Sequence, residues 1–67
     1  MAEYEFHVRG SVSETVLTAF PDLTRAPGPT GGTVLVGPVT DDSDVLTILA
    51  RFCDFGLSVV EMRQLQG

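Results

Sequence analysis

The segment that most constrains the fold is a strict alternation of apolar and polar residues near the start of the chain. Tyr4-Glu5-Phe6-His7-Val8-Arg9 changes character at every position. A period of two is typical of a strand with one buried face. Tyr4, Phe6 and Val8 are therefore predicted to point to a core, and the polar residues between them to point away from it.

A short helix is predicted after this first strand. Gly10 interrupts the alternation, and Ser11 with Glu14 three residues later has the spacing of a capping box. The apolar stripe of the helix is Val12, Val16, Leu17 and Phe20. Pro21 ends the helix, because proline lacks the N–H that the helix interior needs.

Two further strands and a connector follow. Residues 23–26 form a short second strand, and residues 27–32, Pro-Gly-Pro-Thr-Gly-Gly, are typical of a mobile hairpin tip. Thr33-Val34-Leu35-Val36 is almost wholly apolar, which suits a central strand. Gly37-Pro38 is predicted to end that strand.

The last third of the chain repeats the order helix then strand. Thr40 or Asp41 is the predicted N-cap of a second helix, and Gly56 is its left-handed C-terminal residue. The buried stripe of this helix is Val45, Ile48, Leu49 and Phe52. Cys53 flanks the stripe and is expected to be a half-buried structural thiol.

The final strand spans residues 57–65. We assign Val60 and Met62 to the core. The residues that alternate with them, Val59, Glu61 and Arg63, are assigned to the open face.

The order of the elements predicts a single α+β domain over residues 1–67. Right-handed crossovers place both helices on one side of a sheet, which gives the ferredoxin-like βαββαβ sandwich with antiparallel strand order 4-1-3-2. The predicted core consists of Tyr4, Phe6, Val8, Val16, Leu17, Phe20, Val34, Val36, Val45, Ile48, Leu49, Phe52, Val60 and Met62.

The sheet face without helices is the predicted interface. It would present Glu5, His7, Arg9, Leu35, Val59, Glu61 and Arg63. An aliphatic centre inside a charged rim is typical of a protein–protein contact. The alternative is a solvated face on which two aliphatic residues are incidental.

Charge and composition exclude several classes of function. The net charge is −5 with four Arg and no Lys, which disfavours nucleic acid as a partner. No apolar run approaches the roughly 20 residues that span a bilayer, and no signal peptide is evident, so neither a membrane nor secretion is expected. A single cysteine suits a reducing compartment, and we expect the cytoplasm.

No constellation of residues indicates an enzyme, a metal site or a cofactor. His7 is the sole histidine, and a general base needs a partner and a pocket around it. Asp41, Asp42 and Asp44 stand at a helix start, where carboxylates complement the helix dipole. We therefore expect a protein that is not an enzyme.

The chain resembles short ferredoxin-like proteins of high-GC Gram-positive bacteria. The residues that carry the likeness are 4–10, 19–23, 33–38, 49–51 and 56–65. The topology is also similar to that of ACT regulatory modules, which bind small molecules where the first strand meets the first helix. That resemblance implies a ligand site at Gly10, Ser11, Val12 and Ser13, which are equally explained as a turn and helix cap.

A chain this short buries little core and has neither a disulfide nor a metal to stabilise it. We therefore expect an interaction module that forms a homodimer through its open sheet face or an edge strand. A protein partner is a further possibility. The alternatives are an ACT-like small-molecule sensor and an accessory subunit that completes another protein's active site.

Overall fold

The computed structural model describes residues 2–26, 28 and 32–66, and the order of their elements is βαββαβ. The strands are β1 (Ala2–Arg9), β2 (Thr24–Ala26), β3 (Gly32–Val39) and β4 (Val59–Gln66), and the helices are α1 (Glu14–Leu17) and α2 (Asp42–Asp54). The hairpin-tip prediction for residues 27–32 falls mostly on residues 27 and 29–31, which lie outside the described residues.

The four strands form one antiparallel sheet in the order β2-β3-β1-β4. Read from the β4 edge, this order is 4-1-3-2. Residues of both helices pack on the sheet face that carries Phe6 and Val8. The predicted α+β class, with a four-stranded antiparallel sheet and two helices, is confirmed.

Phe6, Leu35 and Phe52 are fully buried at the centre of the core. The Phe52 ring packs edge-on against Phe6 at 5.4 Å between centroids and lies 4.8 Å from Phe20. The rest of the buried cluster is Val8, Val12, Phe20, Leu23, Val39 and Val45. This core confirms the alternation predicted for β1 and the apolar stripe predicted for α2.

The parity predicted for β3 is wrong. Leu35 is the Cα partner of Phe6 and is buried in the core. Val34 and Val36 pair instead with His7 and Glu5, and so lie on the face without helices. Because almost every residue of this strand is apolar, its sequence contains no polar alternation that could set which face is buried.

The parity predicted for β4 is also wrong at its start. Val8 pairs with Val59, whereas His7 pairs with Glu61, so a bulge leaves Val60 between the two pairs. Val59 packs against the core and Val60 is exposed. Met62 shares the core face with Phe6 as predicted, but it lies on an edge strand and stays 40% exposed.

Strand β3 continues through Gly37 and Pro38 instead of ending before them. Pro38 pairs with Glu3 on one side, and on the other side β2 pairs only with residues 34–36. Because β2 does not reach Pro38, one side of β3 is unpaired at this position, and proline is tolerated where a strand has such an unpaired side. Gly37 is buried beneath the segment that joins α1 to β2.

Both helices begin at polar caps. The Asp41 side chain accepts a hydrogen bond from the Asp44 N–H, which confirms Asp41 as the N-cap of α2. The N-cap of α1 is Ser13, whose Oγ accepts from the Val16 N–H, so the capping box predicted at Ser11 is wrong. Gly56 has a φ of +74°, as its predicted place after α2 requires.

Candidate functional site

A cluster of charged side chains lies on the helix-free sheet face. The Glu5 carboxylate is mostly buried, and its Oε1 accepts from Arg63 at 2.5 Å and lies 2.9 Å from His7 Nε2. The hydrogen bonds from His7 and from Arg63 hold the pKa of Glu5 below its ordinary value. Three of the predicted interface residues are therefore brought together in one network.

The apolar centre predicted for this face is not formed by Leu35 and Val59, which both lie on the core side for the reasons given above. Val34 and Val36 take their place beside the charged cluster. Val34 is almost fully buried, because Gly28 packs against it so closely that a Cβ at Gly28 would lie 2.6 Å from Val34 Cγ2. Gly28 thus covers part of the face, which leaves the other described residues there mainly charged.

The other two predicted interface residues lie near the His7 end of the network. Arg9 is exposed at the end of β1 and pairs with Gly32, and Glu61 is exposed on β4 opposite His7. Both have the predicted placement on the helix-free face.

At the turn that the ACT resemblance singled out, two backbone carbonyls accept hydrogen bonds from side chains of β2 and β3. The Gly10 carbonyl accepts from Thr33 Oγ1 at 2.7 Å, and the Val12 carbonyl accepts from Arg25 at 2.6 Å. Ser13 caps α1 and Val12 is buried. Ser11 is exposed. This geometry is that of a turn and helix cap.

The sequence analysis placed β4 at an edge of the sheet but did not identify its exposed apolar residues, because it assigned Val60 and Met62 to the core. Strand β4 has eight residues and forms one edge of the sheet, whereas β2 at the other edge has three. Val60 is 61% exposed and Met62 is 40% exposed along β4. A long edge strand has backbone groups that can pair with another strand, and natural proteins usually protect such edges.

A cleft of about 360 Å³ lies between the segment after α1, the end of β3 and one face of α2. Its lining residues are Ala19, Phe20, Pro21, Asp22, Leu23, Pro38, Thr40, Asp44, Thr47, Ile48 and Arg51. The Arg51 guanidinium lies 5.5 Å from the centre of the Phe20 ring. The helical spacing of Asp44, Thr47, Ile48 and Arg51 was a signal in the sequence that these side chains share one face of α2.

Residues 2–26, 28 and 32–66 contain neither a membrane-spanning helix nor a cluster of metal-binding side chains. No helix in that part of the chain is long and apolar enough to cross a membrane. Within the same ranges, no group of three His, Cys, Asp or Glu side chains could hold a metal ion. Cys53 is exposed, which corrects the expectation that it is half-buried.

The fold and these surfaces define the class of protein. It is a small α+β domain in which both helices pack on one face of a four-stranded antiparallel sheet. The chain belongs to the family described as Domain of unknown function (DUF8691), whose profile matches residues 3–63. No curated protein and no solved structure matches the chain.

Proposed function

We propose that this protein is a non-enzymatic interaction module that forms a homodimer by pairing the β4 edges of two copies. The observation that carries the proposal is the exposure of Val60 and Met62 on an edge strand of eight residues. Backbone hydrogen bonds along the edge supply the attraction, and the exposed apolar side chains add buried area.

The sequence of β4 is complementary to itself in an antiparallel pair. A two-fold axis at Met62 sets Met62 opposite its own copy, as an isologous contact requires. The same register sets Glu61 of each copy opposite Arg63 of the other. Opposite charges that face each other across strands each contribute roughly 0.2–1 kcal/mol. Charge complementarity therefore favours a second copy as the occupant of this edge.

The network behind β4 orients one of the pairing side chains, Arg63. Arg63 is bonded to Glu5 on β1, so its guanidinium is already oriented before a partner arrives. Pre-orientation reduces the side-chain entropy that association would otherwise cost. The contact is small, because it consists of one strand pair with few apolar side chains, and such interfaces give weak and transient association.

The ferredoxin-like fold is part of the same proposal. The order βαββαβ and the sheet order β2-β3-β1-β4 support it. Joining two such sheets at β4 gives a continuous eight-stranded sheet whose edges are both the three-residue β2. This arrangement leaves no long unpaired edge.

Sedimentation of two matched variants tests the proposal. Met62→Lys places two positive charges at the axis, and Leu46→Lys makes the same change at an exposed apolar residue of α2, away from the edge. We expect wild type and Leu46→Lys to dimerise at protein concentrations of about 50 µM, and Met62→Lys to need at least about tenfold more protein. A monomeric wild type, or equal effects of the two substitutions, would contradict edge pairing.

A further inference from the structure

We propose that the cleft beside α2 binds an aliphatic zwitterion whose carboxylate and ammonium groups are separated by an apolar segment. The site is distinct from the β4 edge and does not depend on dimerisation. The cleft volume of about 360 Å³ lies within the range of small-molecule sites.

At one end of the cleft, the guanidinium of Arg51 can bind an anion. Arg51 makes no hydrogen bond or ion pair through its side chain with any of the described residues, although the chain carries nine acidic side chains. Its guanidinium is held over the Phe20 ring, and Phe20 is itself packed against Phe52 and Phe55. A guanidinium supported by a fixed ring loses little freedom on binding, and it matches a carboxylate in a bidentate geometry.

The other end of the cleft is negative. Asp44 lies seven residues before Arg51 on the same face of α2, and Asp22 lines the opposite wall. Asp44 Oδ2 accepts from the Thr40 N–H at 3.1 Å, which fixes the orientation of the carboxylate. A cation is favoured at this end, and a ligand with several negative charges is disfavoured by the two carboxylates.

The floor between the charges is apolar and of known length. Ile48 lies one turn from both Asp44 and Arg51, and Leu23 and Pro38 face it across the cleft. Seven residues of helix rise by roughly 10 Å. The two charged groups of an α-amino acid are too close together to reach both ends, whereas those of an ω-amino acid with an aliphatic chain can do so.

Titration with three small molecules tests this inference. Chemical-shift changes would be recorded for the wild-type protein with ε-aminocaproate, with caproate, which lacks the ammonium group, and with hexylamine, which lacks the carboxylate. We expect ε-aminocaproate to bind at least about tenfold more tightly than either of the others and to shift residues of α2 that line the cleft. Absence of binding, or equal affinity for the three compounds, would overturn the inference.

Substitutions test which side chains bind the carboxylate and the ammonium group of the ligand. Arg51→Gln and Asp44→Asn should each lower the affinity for ε-aminocaproate by about tenfold, as expected when one charge-assisted contact is lost. Arg9→Gln removes an exposed arginine outside the cleft and should leave the affinity unchanged. Unchanged melting temperatures of the three variants would show that the fold is intact. Affinity that survives Arg51→Gln, or that falls equally in Arg9→Gln, would contradict the site.

Discussion

At the scale of single residues, Glu5 is the carboxylate most tied to the fold. Its partners lie on two different strands, since His7 is on β1 and Arg63 is on β4. The Arg63 contact joins β1 to β4, and the hydrogen bonds from His7 and Arg63 hold the pKa of Glu5 below its ordinary value of 4.5. A carboxyl whose pKa is lower in the folded than in the unfolded chain stabilises the fold while it is ionised.

This linkage predicts how stability depends on pH. The contribution of Glu5 is fully present above a pH of about 4.5 and is lost as the pH falls through the lowered pKa of the folded state. Glu5→Gln should therefore be less stable than wild type near neutral pH, and the difference should shrink in acid. Urea unfolding at several pH values and one fixed protein concentration measures the difference in unfolding free energy between the two proteins. Glu3→Gln, at an exposed position of the same strand, is the control, and the same pH dependence in that variant would contradict the assignment to Glu5.

At the scale of the elements, the close approach of β3 to the segment before β2 depends on Gly37. A Cβ at this position would lie 2.6 Å from Leu23 Cδ2 and would also collide with the backbone carbonyl of Asp22. A backbone carbonyl cannot move aside as the end of a flexible side chain can. Asp22 and Leu23 also line the cleft beside α2, so the glycine shapes one of its walls.

Gly37→Ala should destabilise the domain by about 1–3 kcal/mol, the usual cost of forcing extra atoms into a packed interior. Pro38→Ala changes the next residue along β3, which is exposed, and should have a much smaller effect. Thermal unfolding of the two variants makes the comparison. A melting temperature for Gly37→Ala within a degree of the wild-type value would mean that the two segments are not packed in this way.

Prediction from sequence succeeded wherever polar residues marked one side of an element. The alternation from Tyr4 to Arg9 placed Phe6 and Val8 in the core, and the stripe of α2 placed Phe52 there. Prediction failed where a strand has no alternation of polar and apolar residues, or where a bulge shifts that alternation. The near-uniform apolar character of β3 concealed that Leu35 is the core residue, and the bulge in β4 exchanged the roles of Val59 and Val60.

The functional surfaces were less predictable for the same physical reason. The helix-free face was assigned from parity, so the errors in β3 and β4 removed its supposed aliphatic centre at Leu35 and Val59. Glu5, His7 and Arg63 remained on that face because β1 alternates strictly and pairs in register with residues 61–63. The cleft is formed by segments distant in sequence, and pattern along the chain cannot bring such segments together.

At the scale of the whole molecule, the chain has one long exposed edge and a small core. The largest fully buried side chains are Phe6, Phe52, Leu35 and Val8. So small a core gives a domain of this size limited stability. Association of the folded form with a second copy stabilises it by mass action. Edge pairing thus joins the proposed function of the protein to its stability.

Cysteine cross-linking at the proposed axis tests this claim most directly. In a Cys53→Ser background, which removes the native exposed thiol, Met62→Cys would place two sulfurs across the axis. Cβ atoms of directly opposed residues in paired strands lie about 4.5–5.5 Å apart, close to the spacing that a disulfide spans. Leu46→Cys in the same background provides a thiol at an even more exposed position away from the edge.

Mild oxidation of dilute protein, followed by non-reducing electrophoresis, gives the result. We expect the Met62→Cys protein to become a disulfide-linked dimer rapidly and the Leu46→Cys protein to remain mostly monomeric. If Met62→Cys cross-links no faster than Leu46→Cys, the β4 edges do not meet and the proposed dimer is wrong.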